Sequence, residues 1–333
     1  MLPAEDKTGI WLLTGLLAVN TIFFYVFILL VNIKKYNKDN HLNPGDTIIT
    51  AISLTSCGHQ ILAYFWMTMD EVDRECLYNL LESVLLTLVF GVRFSIMWTT
   101  SFLTFYYGTK LVIEPICCYT KIQEAILKHV LTIIVFIILA GFATCLPLLT
   151  FMSHQNATKD ESDCGAIMPA GIPGKLYMSF YVFISDIVPG VLMIKSSISI
   201  SVHLAIHLRN MKASTNSSHA PKLGSQMRVI KMTLTLVVVF LCFLAVDLYV
   251  HVTVVFQHEN TITMTILFAT IYTMVSAFVL VYGRKSCWTE LLRWYNLFLD
   301  EFPCLRCLKV PENKSNSKNV SNATKSKVKS SHM

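Results

Sequence analysis

Arg93 lies inside a long apolar stretch, and at i, i+4 spacing Val89 and Met97 share its face of a helix. In a later apolar stretch Asp247 and His251 stand one helical turn apart. In another, Ser185 and Asp186 precede Pro189, with Tyr181 a turn further out. Ionisable groups in such surroundings are costly, which marks them as functional candidates by default. The guanidinium stays charged under all physiological conditions. A free Arg93 would therefore attract a carboxylate, a sulfonate or a strong carbonyl acceptor, whereas a free Asp247 would select amines. His251 adds a group that titrates near neutral pH. The bland reading is an internal ion pair of Arg93 with Asp247 or Asp186, because either charge buried alone costs several kcal/mol. Thr265 and Phe268 complete the ligand-binding set from the last apolar stretch. His59 and Gln60 read as interhelical hydrogen-bond formers, and Lys195 as a partner for a carbonyl or carboxylate.

No catalytic constellation accompanies these residues. The chain has no nucleophile elbow, no Gly-rich phosphate loop and no His-Glu-x-x-His. Neither enzymatic activity nor a cofactor or metal is expected. Cys57, Cys145, Cys242 and the Cys117/Cys118 pair fall in or against apolar stretches, where a thiol usually acts as a small hydrophobe.

The elements that must position these groups are set by composition. Of 333 residues 54% are hydrophobic and 14% charged, with mean hydropathy +0.55; soluble domains carry about 25% charged residues. Seven apolar stretches can be laid out, at roughly 11–33, 47–69, 80–112, 127–151, 176–206, 229–256 and 261–283. Each can cross a hydrocarbon core, which takes about 20 helical residues. Backbone groups in lipid must bond within their own segment, so all seven are helices. The expected fold is an all-α, polytopic seven-transmembrane bundle over 11–283, after a short extracellular segment 1–10. The leader MLPAEDKTG lacks a basic region, so the first stretch is read as a membrane helix and not a cleavable signal.

Loop charges orient the bundle. The first, third and fifth connections hold ten Lys and Arg, from Lys34 to Lys231, and the segment from Arg284 to Lys329 holds ten more. The opposite connections are acidic. Positive charge concentrates inside, which predicts an external N-terminus and a cytoplasmic C-terminus in the plasma membrane. The net charge of +6 is thus a topology signal, with membrane lipid rather than nucleic acid as its partner. The sequon Asn156-Ala157-Thr158 falls in a connection predicted to be external, where it would be glycosylated. Cys76 and Cys164 fall on the same side, and an oxidising compartment would allow them to pair.

After the last stretch, residues 284–302 contain Trp288, Leu291, Leu292, Tyr295 and Leu299 at helical spacing, which predicts an amphipathic helix on the inner leaflet. Residues 303–333, rich in Lys, Asn and Ser, are expected to stay disordered. Cys304 and Cys307, beside basic residues, suit palmitoylation. The inner ends of the helices carry Tyr106, Tyr107, Lys110, His203, His207, Lys231 and Lys285, which would surround a G-protein cavity or serve as topology anchors.

Several stretches together resemble the vertebrate bitter-taste (type 2 taste) receptors. FILLVN (Phe27 to Asn32) is similar to that family's first-helix motif. LNPGDTIITAISLTSCG is similar to the second, with Ser56 where the family has Arg. WTTSFLTFYYGTKL keeps the separation of Trp98 and Lys110. Pro189, Ser196, Ser197, His207 and Met211 keep the fifth-helix spacing, and Gln226, Val229, Ile230 and Lys231 resemble the sixth. The seventh is the poorest match, with Val275 for His and Gly283 for Asn. The resemblance implies a chemosensory G-protein-coupled receptor that detects small organic bitter-type agonists and activates a heterotrimeric G protein of the gustducin/inhibitory class. It places Arg93 where the family's ligand-contacting Asn sits and Val89 where its Trp sits, and it argues against the Cys76–Cys164 bridge. The alternative is a vomeronasal type 1 pheromone-like receptor, a family that shares Pro-x-Asp in helix two and an external sequon. A membrane transporter is weaker, because internal repeats are missing and an odd helix count fits such repeats poorly.

Overall fold

The computed structural model describes residues 4–72, 79–111, 117–153, 172–213, 223–257 and 262–301, all of them helical or in short turns. Asn156, Cys76, Cys164, Cys304 and Cys307 lie outside the described residues. Two compact units emerge, the bundle up to Arg284 and a segment beginning at Lys285.

Within the bundle, α1 spans Ala4–Asp39, α2 Pro44–Val72, α3 Asn79–Leu111 and α4 Cys117–Ser153. The fifth crossing is interrupted. It runs as α5 (Ile172–Val182), a π turn (Phe183–Ile187) and α6 (Val188–Ala213). The last two crossings are α7 (Leu223–Gln257) and α8 (Ile262–Gly283). Among the described residues seven spans are long and apolar enough to cross a membrane.

Local chemistry sets the helix ends. Asn40 takes a left-handed φ of 55° and donates its N–H to Tyr36 O at 2.8 Å, closing α1 with one of the few residue types that tolerate that conformation. Pro44 then opens α2, where a missing N–H costs nothing. His129 leaves helical geometry and kinks α4 (φ −117°, ψ 23°).

Pro189 explains the π turn. It has no N–H, and its ring crowds the carbonyl four residues back. Val188 N–H therefore reaches five residues back, to Phe183 O, the register of a π turn. Pro189 thus shifts the hydrogen-bond register of the fifth crossing.

α3 is the most enclosed crossing, with 67% of its apolar window buried, against 28% for α4. It meets α4 through paired glycines: a Cβ on Gly141 would stand 2.8 Å from Gly91 O. Small residues allow this close approach between membrane helices. The second unit contains α9 (Lys285–Glu301), whose polar and apolar residues segregate more strongly than in any crossing. Trp294, Leu297 and Phe298 of α9 are exposed.

Candidate functional site

Because the middle of α3 is enclosed, a charge buried there needs partners. Arg93 is 3% exposed. Its Nη2 lies 3.0 Å from Asp186 Oδ1 and 2.8 Å from Asp247 Oδ2, so one guanidinium nitrogen joins the third, fifth and sixth crossings. The choice of partner left open by the sequence is resolved as both acids. Ser185 donates its hydroxyl to the other oxygen of Asp186. Arg93 Cζ sits 5.4 Å from the centroid of the Phe243 ring, within cation–π range.

The π turn presents this pair of side chains. It widens the helix and carries both Ser185 and Asp186 into the buried centre. The π turn is also stitched to α3. Val188 N–H is engaged with Phe183 O and position 189 has no N–H, so Ile184 O lacks its helical donor in that register. Trp98 Nε1 supplies one at 3.1 Å. Ser101 Oγ donates to Pro189 O at 3.1 Å, and Tyr181 Oη donates to Phe90 O at 2.9 Å.

The predicted ligand residues divide accordingly. Arg93, Ser185 and Asp247 come together with Asp186, and His251 lies half-buried one turn along α7 from Asp247. Val89 and Met97 are core residues, packed in separate apolar clusters with Trp66 and Tyr181 and with Phe240 and Tyr272. Tyr181 spends its hydroxyl on a helix carbonyl and its ring on Phe90. Phe268 packs beside the cluster containing Met97, and Thr265 is partly buried on α8. The free guanidinium expected to draw anions is absent: two carboxyls share one guanidinium, and the cluster has an acidic excess. Lys195 is on an exposed face of α6, which corrects its expected role as an internal partner. His59 is fully buried, with Nδ1 lacking a protein partner, and Gln60 donates to Thr273 Oγ1 at 2.6 Å. Among the described residues no group of three or more His, Cys, Asp and Glu is placed to hold a metal.

At the opposite end of α3, Tyr106 and Tyr107 pack on the start of α2. A Cβ on Gly45 would stand 3.1 Å from Tyr107 Oη. Lys110 Nζ is 5.9 Å from the Tyr106 ring centroid. His203 is half-buried and Lys231 exposed; the His207 side chain is outside the described residues, and Lys285 belongs to the second unit.

Sequence reasoning missed one cluster near this end. Arg284 Nη2 is 2.6 Å from Asp46 Oδ1 and 2.7 Å from Asn32 Oδ1. Lys35 Nζ reaches Asp46 Oδ2 at 2.5 Å, and Asn32 donates to Thr50 Oγ1 at 2.9 Å. The signal was an acid in the first turn of one helix and a base directly after another.

Comparison with known proteins matches residues 17–291 to the family model described as the vomeronasal organ pheromone receptor family. No curated protein matches. Among solved structures the crystal structure of squid rhodopsin is similar, with TM-score 0.67 and 11% identity over 94% of this chain and 90% of that one. At that identity the likeness shows the fold alone, a seven-helix bundle. The family model corrects the resemblance to bitter-taste receptors in favour of the alternative. The resemblance rested on separate short stretches, whereas the family match runs through residues 17–291, nearly the whole bundle.

Proposed function

The chain belongs to the vomeronasal organ pheromone receptor family, and from that premise we propose that its agonist is a small organic pheromone read by the Arg93–Asp186–Asp247 cluster. It is a chemosensory G-protein-coupled receptor, a multi-pass protein of the plasma membrane. The observation that carries the ligand reading is the doubly shared guanidinium. Three crossings meet on one nitrogen at the buried centre, so a molecule that competes for either carboxyl changes their spacing. Binding favours an active arrangement only through differential affinity for it. With both carboxyls turned on Arg93, the cluster offers acceptors, and the agonist is one that brings a hydroxyl or amine donor.

The charge distribution supports an external N-terminus. In that orientation Tyr106, Tyr107, Lys110, His203, His207, Lys231 and Lys285 would belong to the G-protein side. Coupling to an inhibitory-class G protein, glycosylation at Asn156, acylation at Cys304 and Cys307, and seating of α9 on the inner leaflet belong to the same reading.

A calcium-release screen tests it in cells that carry a promiscuous chimeric G protein. Volatile alcohols, amines and carboxylic acids are applied to the wild type, D186N and D247N, with surface level measured in parallel. Donor-bearing agonists should lose potency in both variants at matched surface level. Unchanged dose-response curves at matched surface level would overturn the assignment.

A further inference from the structure

Beside the Gly91–Gly141 crossing of α3 and α4 lies a cleft of about 480 Å³, closed on its third side by Ile184 and Leu192 of the fifth crossing. It is a site distinct from the ion cluster. Phe136 at its lip is 70% exposed on the surface that the bilayer covers, so whatever fills it arrives from the hydrocarbon. A second cavity shares Phe136, Ala140 and Thr144 and continues the groove toward Tyr177 and Phe180. The volume falls in the range of small-molecule sites, about 300–1,000 Å³.

The walls specify the occupant. Phe94 and Trp98 stack with centroids 5.9 Å apart and planes 27° from parallel, a broad flat face extended by Phe102 and Phe105. None of the lining residues is charged. The polar donors there are committed, Trp98 Nε1 to Ile184 O and Ser101 Oγ to Pro189 O. A charged or strongly polar guest would lose its hydration without replacement. A flexible acyl chain would lose rotamer freedom against rigid rings, whereas a fused-ring skeleton has little to lose and matches a flat aromatic wall. We propose that this cleft binds a neutral sterol of the bilayer, its ring face on Phe94 and Trp98. Its occupant bears directly on Trp98, the side chain that holds the π turn carrying Ser185 and Asp186.

The test uses the full-length receptor in phosphatidylcholine vesicles. One set receives a photoactivatable cholesterol analogue, the other a phosphatidylcholine with a photoactivatable acyl chain, and adducts are mapped by mass spectrometry. The sterol probe should concentrate on peptides of 94–105 and 133–144, and excess cholesterol should compete it away. A140W, which fills the cleft, should lower that labelling several-fold at a matched amount of folded receptor. L192W fills it from the opposite wall and keeps the test readable if A140W fails to fold. Sterol adducts spread evenly round the bundle would overturn the proposal. So would labelling indifferent to both tryptophans, or an acyl probe concentrating at the same peptides, which marks a lipid-chain groove. None of these outcomes depends on which molecule activates the receptor.

Discussion

Trp98 Nε1 donates to Ile184 O across 3.1 Å, in place of the backbone donor that Pro189 cannot provide. A side chain of α3 thereby completes the hydrogen bonding of the fifth crossing at the turn that carries Asp186. W98F should remove this support at a cost of about 0.6–2 kcal/mol, the range of interhelical hydrogen bonds in membranes. P189A restores a backbone N–H. Melting temperatures of purified protein should therefore fall for W98F and fall less in W98F/P189A relative to P189A alone. Strict additivity would mean that the indole and the proline are not coupled.

The ion cluster makes an asymmetric prediction. R93N leaves two buried carboxyls facing each other, and breaking such a pair costs about 3–5 kcal/mol. Surface level should drop sharply. R93N/D247N still strands Asp186, so rescue should be small, and R93N/D186N/D247N should recover most of the loss. Equal recovery in the double and triple variants would show that Asp186 is satisfied by Ser185 alone.

At the other end, Asp46 is shared between a buried and a partly exposed base. Arg284 is 7% exposed at its side chain and Lys35 is 31% exposed. K35M should cost about 0–1 kcal/mol, as exposed pairs do. R284M and D46N should cost more, read as surface level and as basal G-protein signalling, which rises as α8 loosens from α1 and α2. A K35M effect as large as that of R284M would contradict this ranking.

Gly141 sets two effects against each other. In an exposed helix G141A would gain about 1 kcal/mol from propensity. Here the added methyl meets Gly91 O at 2.8 Å and Phe94 Cδ1 at 2.9 Å, and overpacking costs about 1–3 kcal/mol. The variant should melt lower than wild type. A higher melting temperature would show that α4 can shift outward freely.

The topology reading is checked at Asn156. Glycosidase treatment of the wild type should increase gel mobility, and N156Q should reproduce that mobility without treatment. An untreated wild type that already runs with N156Q would remove the support this sequon gives to an external N-terminus.

The seven crossings were legible because length and apolarity alone decide them. The need of Arg93 for an acid was legible too, since no charge in an enclosed helix stands by itself. Which acid was not legible, because periodicity within a helix says nothing of how two helices are turned toward each other. For the same reason Val89 and Met97 shared a face with Arg93 and still proved to be core. The π turn escaped because a proline announces a lost N–H but not the register that replaces it. Asp46 and Arg284, 238 positions apart, read separately as part of a second-helix motif and as one of the basic residues that set the topology.

That separation has a consequence for biosynthesis. Asp46 belongs to the second crossing to leave the ribosome, and Arg284 follows the last. Until Arg284 emerges, Asp46 has Lys35 but lacks its buried partner, and Asn32 lacks the guanidinium that its side-chain oxygen accepts from. A nascent chain thus carries an unfilled acidic notch through the insertion of five further helices. Docking of the seventh removes it, so a chain cut short before Arg284 keeps in its first two helices a chemical mark of incompleteness.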